Sequence, residues 1–317
     1  MAKLSSPRAG SLQFWPRKRA EKNLPSVNWR NFDNLQNKND GLVGFITYKV
    51  GMANAIVKDN TEHSMTKGKK IFVPVTILEA PPMKIYSVRF YSNNKIVKEI
   101  VVSNDKELKK IVKISKEIKN FESQVPQKYD DLRVIAYSLV KRTSVKRTPD
   151  ILEIGIKAKD KIVFVKDRLS KELSLQDMIS CDLVDVRGLT KGKGLSGPVK
   201  RFGITLKQHK TEKGVRRPGS LAPWHPARVT FHAPMAGQLG MFSRVHYNLN
   251  VVNIGSINDK NINPGQGFRH YGVIKTQYVI VKGSVQGPQK RQVFITPSFR
   301  PTKKQMKKKY EFQEIIL

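Results

Sequence analysis

Apolar residues along the chain gather mostly in short runs. Leu42–Val50, Ile71–Glu79 and Lys84–Tyr91 are rich in Val, Ile, Phe and Tyr and are separated by Gly, Pro and Asn, which predicts three strands. Leu132–Val140 and Ile151–Ile156 predict a strand pair around a basic turn, Lys141–Pro149. Asp182–Arg187, Leu249–Ile257, Thr276–Lys282 and Gln292–Ile295 predict further strands. Only Asp105–Phe121 has a clear helical period. Leu108, Ile111, Val112, Ile114, Ile118 and Phe121 share a face there, and Asn104 or Asp105 can cap its start. Asp167–Ser174 predicts a shorter helix. The fold class expected is mainly β with an α/β portion.

Two stretches follow neither period. Residues 1–40 hold three prolines, the aromatics Phe14, Trp15 and Trp29, and the cluster Arg17-Lys18-Arg19. They read as an extended arm or as a disordered tail; the aromatics favour the arm, because flexible tails are aromatic-poor. Residues 200–247 hold four Pro, five Gly and four of the six His, with no sustained alternation. A segment this long without a period implies function or disorder. Phe202, Trp224, Phe231, Met235, Met241 and Phe242 imply that it becomes ordered on a partner.

Charge says what that partner is. The chain carries 59 Lys and Arg against 25 Asp and Glu, a net +34. The excess is uneven: 41–186 mixes both signs, whereas 187–310 has two acids, Glu212 and Asp259. A solvated surface normally intersperses acids, so a polyanion is expected to face this part. The 288–309 stretch adds eight bases and no acid. One cysteine, Cys181, cannot form an internal disulfide, which fits a reducing, cytoplasmic compartment. No apolar run is long enough for a membrane helix, and Met1–Gly10 lacks the apolar stretch of a secretory signal.

Candidate chemistry is sparse. Gly192-Lys193-Gly194-Leu195-Ser196-Gly197 matches a dinucleotide fingerprint, but Pro198–Gly203 after it reads poorly as the helix that motif needs, and no acid follows at the ribose spacing. The loop is either a close approach to phosphate by backbone, Lys191, Lys193, Lys200 and Arg201, or a plain flexible turn. His209, His225, His232 and His246 lack the Cys or carboxylate neighbours of a metal site and read better as base-stacking or phosphate-donating groups. Trp224 is either a core anchor or a plate for an unpaired base, and Arg216, Arg217 and Arg228 around it favour RNA. With so few acids, no catalytic set is expected in 187–310 unless acids from 41–186 reach it in space, nor is a cofactor or metal expected.

The longer motifs point to a family. Gly188-Leu189-Thr190-Lys191-Gly192-Lys193-Gly194, Gly197-Pro198-Val199-Lys200-Arg201-Phe202-Gly203, Pro218-Gly219-Ser220, Trp224-His225-Pro226 and Met235-Ala236-Gly237-Gln238-Leu239-Gly240 resemble the signature of the ribosomal protein L3 family. Pro7-Arg8-Ala9-Gly10-Ser11-Leu12, Pro16–Arg19, Gly44-Phe45, Lys49–Met52 and Asn253–Gly255 resemble its archaeal and eukaryotic branch. The resemblance implies a six-stranded, translation-factor-type β-barrel built from 41–92, 167–199 and 248–300, and an α/β insertion at 93–166. It also implies two extensions that penetrate rRNA, 1–40 and 200–247, beside a basic tail, 301–317. By motif position Trp224, within Lys210–Arg228, lies at the tip near the peptidyl-transferase centre. The protein is then a non-enzymatic scaffold that binds large-subunit rRNA and neighbouring ribosomal proteins, with no membrane or small-molecule substrate.

The residues expected to meet RNA are Arg8, Arg17, Lys18 and Arg19 in the arm, and Lys191, Lys193, Lys200 and Arg201 at the glycine loop. Lys207, Lys210, Lys213, Arg216, Arg217, Trp224, His225, Arg228, His232 and Arg244 follow in the extension, and Lys290, Arg291 and Arg300 come later. Eukaryotic relatives have a methylatable histidine in a stretch that here reads Lys210-Thr211-Glu212-Lys213-Gly214, so Glu212 cannot carry that modification.

Overall fold

The computed structural model describes residues 14–29, 40–114, 120–178 and 180–316. These residues are mainly β. In chain order the strands are β1 Gly41–Leu42, β2 Phe45–Asp59, β3 Lys70–Ala80, β4 Met83–Ser92, β5 Lys95–Val101, β6 Asp131–Ser138 and β7 Ile151–Lys157. Then come β8 Leu183–Leu189, β9 Leu195–Ser196, β10 Gly237–Gln238, β11 Ser243–Ser256, β12 Gln277–Lys282, β13 Gln292–Pro297 and β14 Tyr310–Ile316. Three short helices, α1 Lys161–Lys166, α2 Pro198–Phe202 and α3 Lys303–Met306, lie between them.

The described residues form two compact units, one from 24–188 and 245–316, the other from 14–23 and 189–244. The larger unit holds two sheets. One has the order β1-β7-β6-β4-β5; the other runs β13-β8-β11-β12-β3-β2-β14. β13 pairs antiparallel with β8 along one edge, Phe294 opposite Arg187, and with β2 along the other, Phe294 opposite Ile46. The pattern of β2 follows from its neighbours. Phe45–Val50, against β13 and β3, is buried on both faces, whereas Ala55, Val57 and Asp59 alternate with more exposed residues where β14 takes over as partner. Phe45, Ile46, Tyr48, Ile77, Leu78, Tyr278 and Phe294 form the centre of the core. Burying each aliphatic or Phe side chain contributes roughly 1.5–3 kcal/mol. Trp29, only 3% exposed, meets Phe294 edge-on with centroids 6.1 Å apart.

Several buried polar groups in this unit are bonded, although Glu107 Oε2 and Gln305 Oε1 are buried without a partner. Lys49 donates through Nζ to the carbonyls of Val285 at 2.5 Å and Gly287 at 3.0 Å. Glu79 accepts from Tyr271 Oη, from the backbone N–H groups of Lys275 and Thr276, and from Thr276 Oγ1, which ties the loop before β12 to β3. Burial first, then the charge of Glu79, holds the Tyr271 phenol far above its ordinary value. Leaving such a carboxylate unbonded would cost several kcal/mol, so the network fixes this loop.

The strands predicted from the sequence are present, with longer bounds for β2 and β11, but three local expectations are overturned. The helix expected over Asp105–Phe121 is a 3-10 turn, Lys106–Lys110; residues 111–114 are not helical and 115–119 lie outside the described residues. Asp105 does not cap it, because its carboxylate is taken by Tyr137 Oη and by Lys84 at 3.5 Å. The short helix expected at Asp167–Ser174 lies earlier, as α1, where Asp160 accepts from the N–H groups of Ile162 and Val163. Pro198–Phe202, which read poorly as a helix, is one. Proline suits the first helical position, and Gly203 ends the turn in the left-handed region at φ +68°.

Candidate nucleic-acid interface

The smaller unit gets its order from a few backbone and guanidinium contacts. β9 and β10 pair, and around them the Lys193 N–H donates to Leu239 O at 2.9 Å, Leu239 N–H to Gly194 O at 2.9 Å, and Thr190 N–H to Phe242 O at 3.0 Å. The glycine loop is therefore zipped to 237–242, so the flexible-turn reading does not hold. Gly240 makes the zip possible: at φ +82°, a Cβ there would lie 2.0 Å from Lys191 O. Arg201 is the centre of a second set. It donates from Nε to Gln238 O at 3.0 Å, from Nη1 to Met235 O at 3.0 Å and from Nη2 to Arg17 O at 3.2 Å. Arg17 returns a bond to Arg201 O at 2.5 Å. Gly237 leaves room for it, since a Cβ would sit 2.8 Å from the Arg201 guanidinium carbon. Trp15 stacks on Phe202 at 5.5 Å and 15°, with Arg17 over Phe202 at 4.3 Å and the His232 ring 5.0 Å from Trp15. Partial burial draws the Arg201 guanidinium below its usual pKa.

The other predicted residues sort by exposure. Lys18, Arg19, Lys191, Lys193 and Lys200 are exposed. So are Lys207, Lys210, Lys213, Arg216, Arg217, His225 and Arg228. Trp224 is 89% exposed, which removes the core-anchor reading within its unit. Arg244 is half-buried, its guanidinium 5.3 Å from the Phe242 ring centroid. Arg8 lies outside the described residues. Thus the structure brings Arg17, Arg201 and His232 together and leaves the other described residues of the set in this unit exposed, apart from half-buried Arg244. Four bases from 14–23 and eleven from 189–244 share two acids, Glu21 and Glu212, in this unit. The larger unit differs: Arg89 and Arg133 there share a network with Asp131, Glu99 and Glu153.

In the larger unit Lys290 and Arg300 are exposed and Arg291 is half-buried. Arg300 stands at a cavity of about 730 Å³ that sequence reasoning missed. Its lining includes Arg187, Asp185, Tyr247, Asn248 and Phe299. Arg187 is only 6% exposed; it donates from Nη1 to Thr296 Oγ1 and lies 4.0 Å from Asp185 Oδ2. Burial lowers its pKa, partly offset by Asp185. The available signal was Asp185-x-Arg187: two charges at strand spacing inside an otherwise apolar run share one face. Among the described residues no three His, Cys, Asp or Glu side chains come together as a metal site, and no helix is long and apolar enough to cross a membrane.

The model of ribosomal protein L3 matches residues 1–101 and 98–315. The chain belongs to the ribosomal protein L3 family. It is of the archaeal type of that family. It is 39% identical to the large ribosomal subunit protein uL3 of Methanocaldococcus jannaschii, over 94% of this chain and 92% of that one. The uL3 proteins of Methanococcus vannielii, at 39% over 94% of this chain and 93% of that one, and of Archaeoglobus fulgidus, at 38% over 95% and 94%, are similar to the same extent. The L3 family match thus runs through both units, taking in the zipped glycine loop and the exposed Trp224 segment.

Proposed function

We propose that this chain is a structural, non-catalytic component of the large ribosomal subunit in the cytoplasm that binds large-subunit rRNA, supports early subunit assembly and shapes the surroundings of the peptidyl-transferase centre and the A site. The observation that carries this reading is Trp224, 89% exposed within a stretch whose Lys210, Lys213, Arg216, Arg217 and Arg228 are exposed as well. Such an indole is a poor surface for water but a good plate for a base, worth roughly 1–3 kcal/mol of stacking. Phosphates neutralise the neighbouring bases and release counterions. The larger unit supplies the platform. In our reading β2, β3, β12, β11, β8 and β13 close into a six-stranded barrel, supported by the pairing of β13 with both β8 and β2. The 93–166 insertion adds to it, and 1–40 and 200–247 are the RNA-penetrating extensions. The protein holds RNA strands and neighbouring proteins in place and makes or breaks no covalent bonds.

Trp224→Ala in the full chain should leave the circular dichroism and melting of the protein unchanged, allow incorporation into large subunits, and alter nucleotide reactivity near the peptidyl-transferase centre together with A-site-linked steps. Unchanged ribosome function and unchanged reactivity around the tip would sink the assignment.

A further inference from the structure

The cavity beside β8 has the chemistry of a base pocket. Its floor holds Arg187, a guanidinium with five N–H donors. One of them is bonded to Thr296, and Asp185 stands too far for a good second bond, at 4.0 Å. Among the described residues no further acceptor reaches this nearly buried cation. The guanidinium carbon lies 5.1 Å from the Phe299 ring centroid and the residue lines the cavity, so an acceptor placed there can reach its remaining N–H groups. Asn248 points the same way. It interrupts β11 with a left-handed backbone, φ +56°, of the kind that collects at ligand sites. Its Oδ1 accepts from Ser298 Oγ at 2.5 Å, and its amide NH2 has no acceptor among the described residues. The backbone N–H groups of Asn248 and Phe299 both donate to the Asp185 carboxylate, at 2.9 and 3.3 Å, so that one acid sets the positions of two lining residues. Tyr247, 60% exposed, offers an uncovered aromatic face at the mouth, and Arg300 is exposed next to it.

The nature of the occupant follows from Asp185. A phosphate or carboxylate on the floor would be repelled by that anion. A neutral ring with two adjacent acceptors would not be, and an arginine fork matches guanine O6 and N7. We propose that this cavity takes one unpaired guanine of the rRNA. Its O6/N7 edge accepts from Arg187, the amide of Asn248 donates to an acceptor on the same base, the ring stacks on Tyr247, and its backbone phosphate stays at the mouth against Arg300. This rests on the reading that the chain binds large-subunit rRNA. It adds a base-specific contact from the larger unit to the phosphate and stacking contacts proposed for the extensions.

Large subunits containing the full-length wild-type chain, Arg187→Lys or Tyr247→Ala are treated with dimethyl sulfate, and methylation of guanine N7 is mapped along the rRNA. Lysine keeps the charge but loses the fork. One guanine, protected in the wild-type particle, should become about tenfold more reactive with Arg187→Lys and also gain reactivity with Tyr247→Ala, while all other protections stay. If Arg187→Lys fails to assemble, the surface variant Tyr247→Ala decides alone. No change at any guanine N7 in an otherwise intact footprint overturns the pocket and leaves the rRNA-binding reading standing. A change confined to adenines or pyrimidines overturns it too, as does loss of the whole footprint with Tyr247→Ala. A wild-type chain that protects no rRNA would instead remove the reading beneath it.

Discussion

Arg201 and Trp224 look alike in the sequence, each part of a basic and aromatic stretch, yet they have opposite fates. Arg201 spends its donors on three carbonyls of its own unit, while Trp224 stands in the open. Residue type reveals which chemistry is available, not which partner takes it, so the exposed lysines of the candidate interface were legible and the roles of Arg17, Arg201 and Arg187 were not. Arg187 was hidden because a charge near the end of a strand is ordinarily a solvated one. Gly240 gives a test at this scale. In Gly240→Ala the added methyl meets Lys191 O in a backbone conformation that alanine resists, so the zip between 190–194 and 238–242 should weaken by at least roughly 1–3 kcal/mol. Limited proteolysis should then cut within 200–237 faster than in the wild type while the larger unit resists as before. Equal cutting rates would show that the zip does not hold the segment.

Strands were read well wherever apolar residues filled both faces or alternated cleanly. They were missed where neither pattern held. β5 sets its apolar residues in adjacent pairs, Ile96-Val97 and Ile100-Val101, which fit neither period, and of these only Ile100 is fully buried. In β14 the register with β2 shifts between Phe312 and Glu314, which breaks the alternation that would have announced a strand. The helical period of Asp105–Phe121 was real in the sequence, but Asp105 is committed to Tyr137 and Lys84, which withdraws a cap worth about 1 kcal/mol from its start. Long-range pairing overrode local preference in each case. β14 covers the later half of β2, and Phe312 and Ile315 pack on the core from it. A chain ending at Lys309 should therefore melt several degrees lower and lose solubility, because residues 54–59 of β2 become an open edge. Light scattering against time would show this, and a truncated chain as soluble and stable as the full one would mean that β14 is a mere appendage.

For the whole molecule, the distribution of charge was the most informative property of the sequence, and the structure leaves most of that excess on the surface. Lys191, Lys193 and Lys200 are exposed and bases outnumber acids heavily around them. Replacing these three with alanine should leave the fold intact and lower the slope of log affinity for rRNA against log salt by about one per lysine that meets a phosphate. A filter-binding series across salt concentrations measures it, and an unchanged slope would place the phosphates elsewhere. The reciprocal bonds between Arg17 and Arg201 join positions 184 residues apart, and this has a consequence in time. At typical elongation rates Arg17 is joined to the growing polypeptide roughly 10–40 s before Arg201. The opening of the message is thus translated early and packed late, and from the moment they clear the ribosome until Arg201 arrives Trp15 and Arg17 are on offer to any nucleic acid that drifts past.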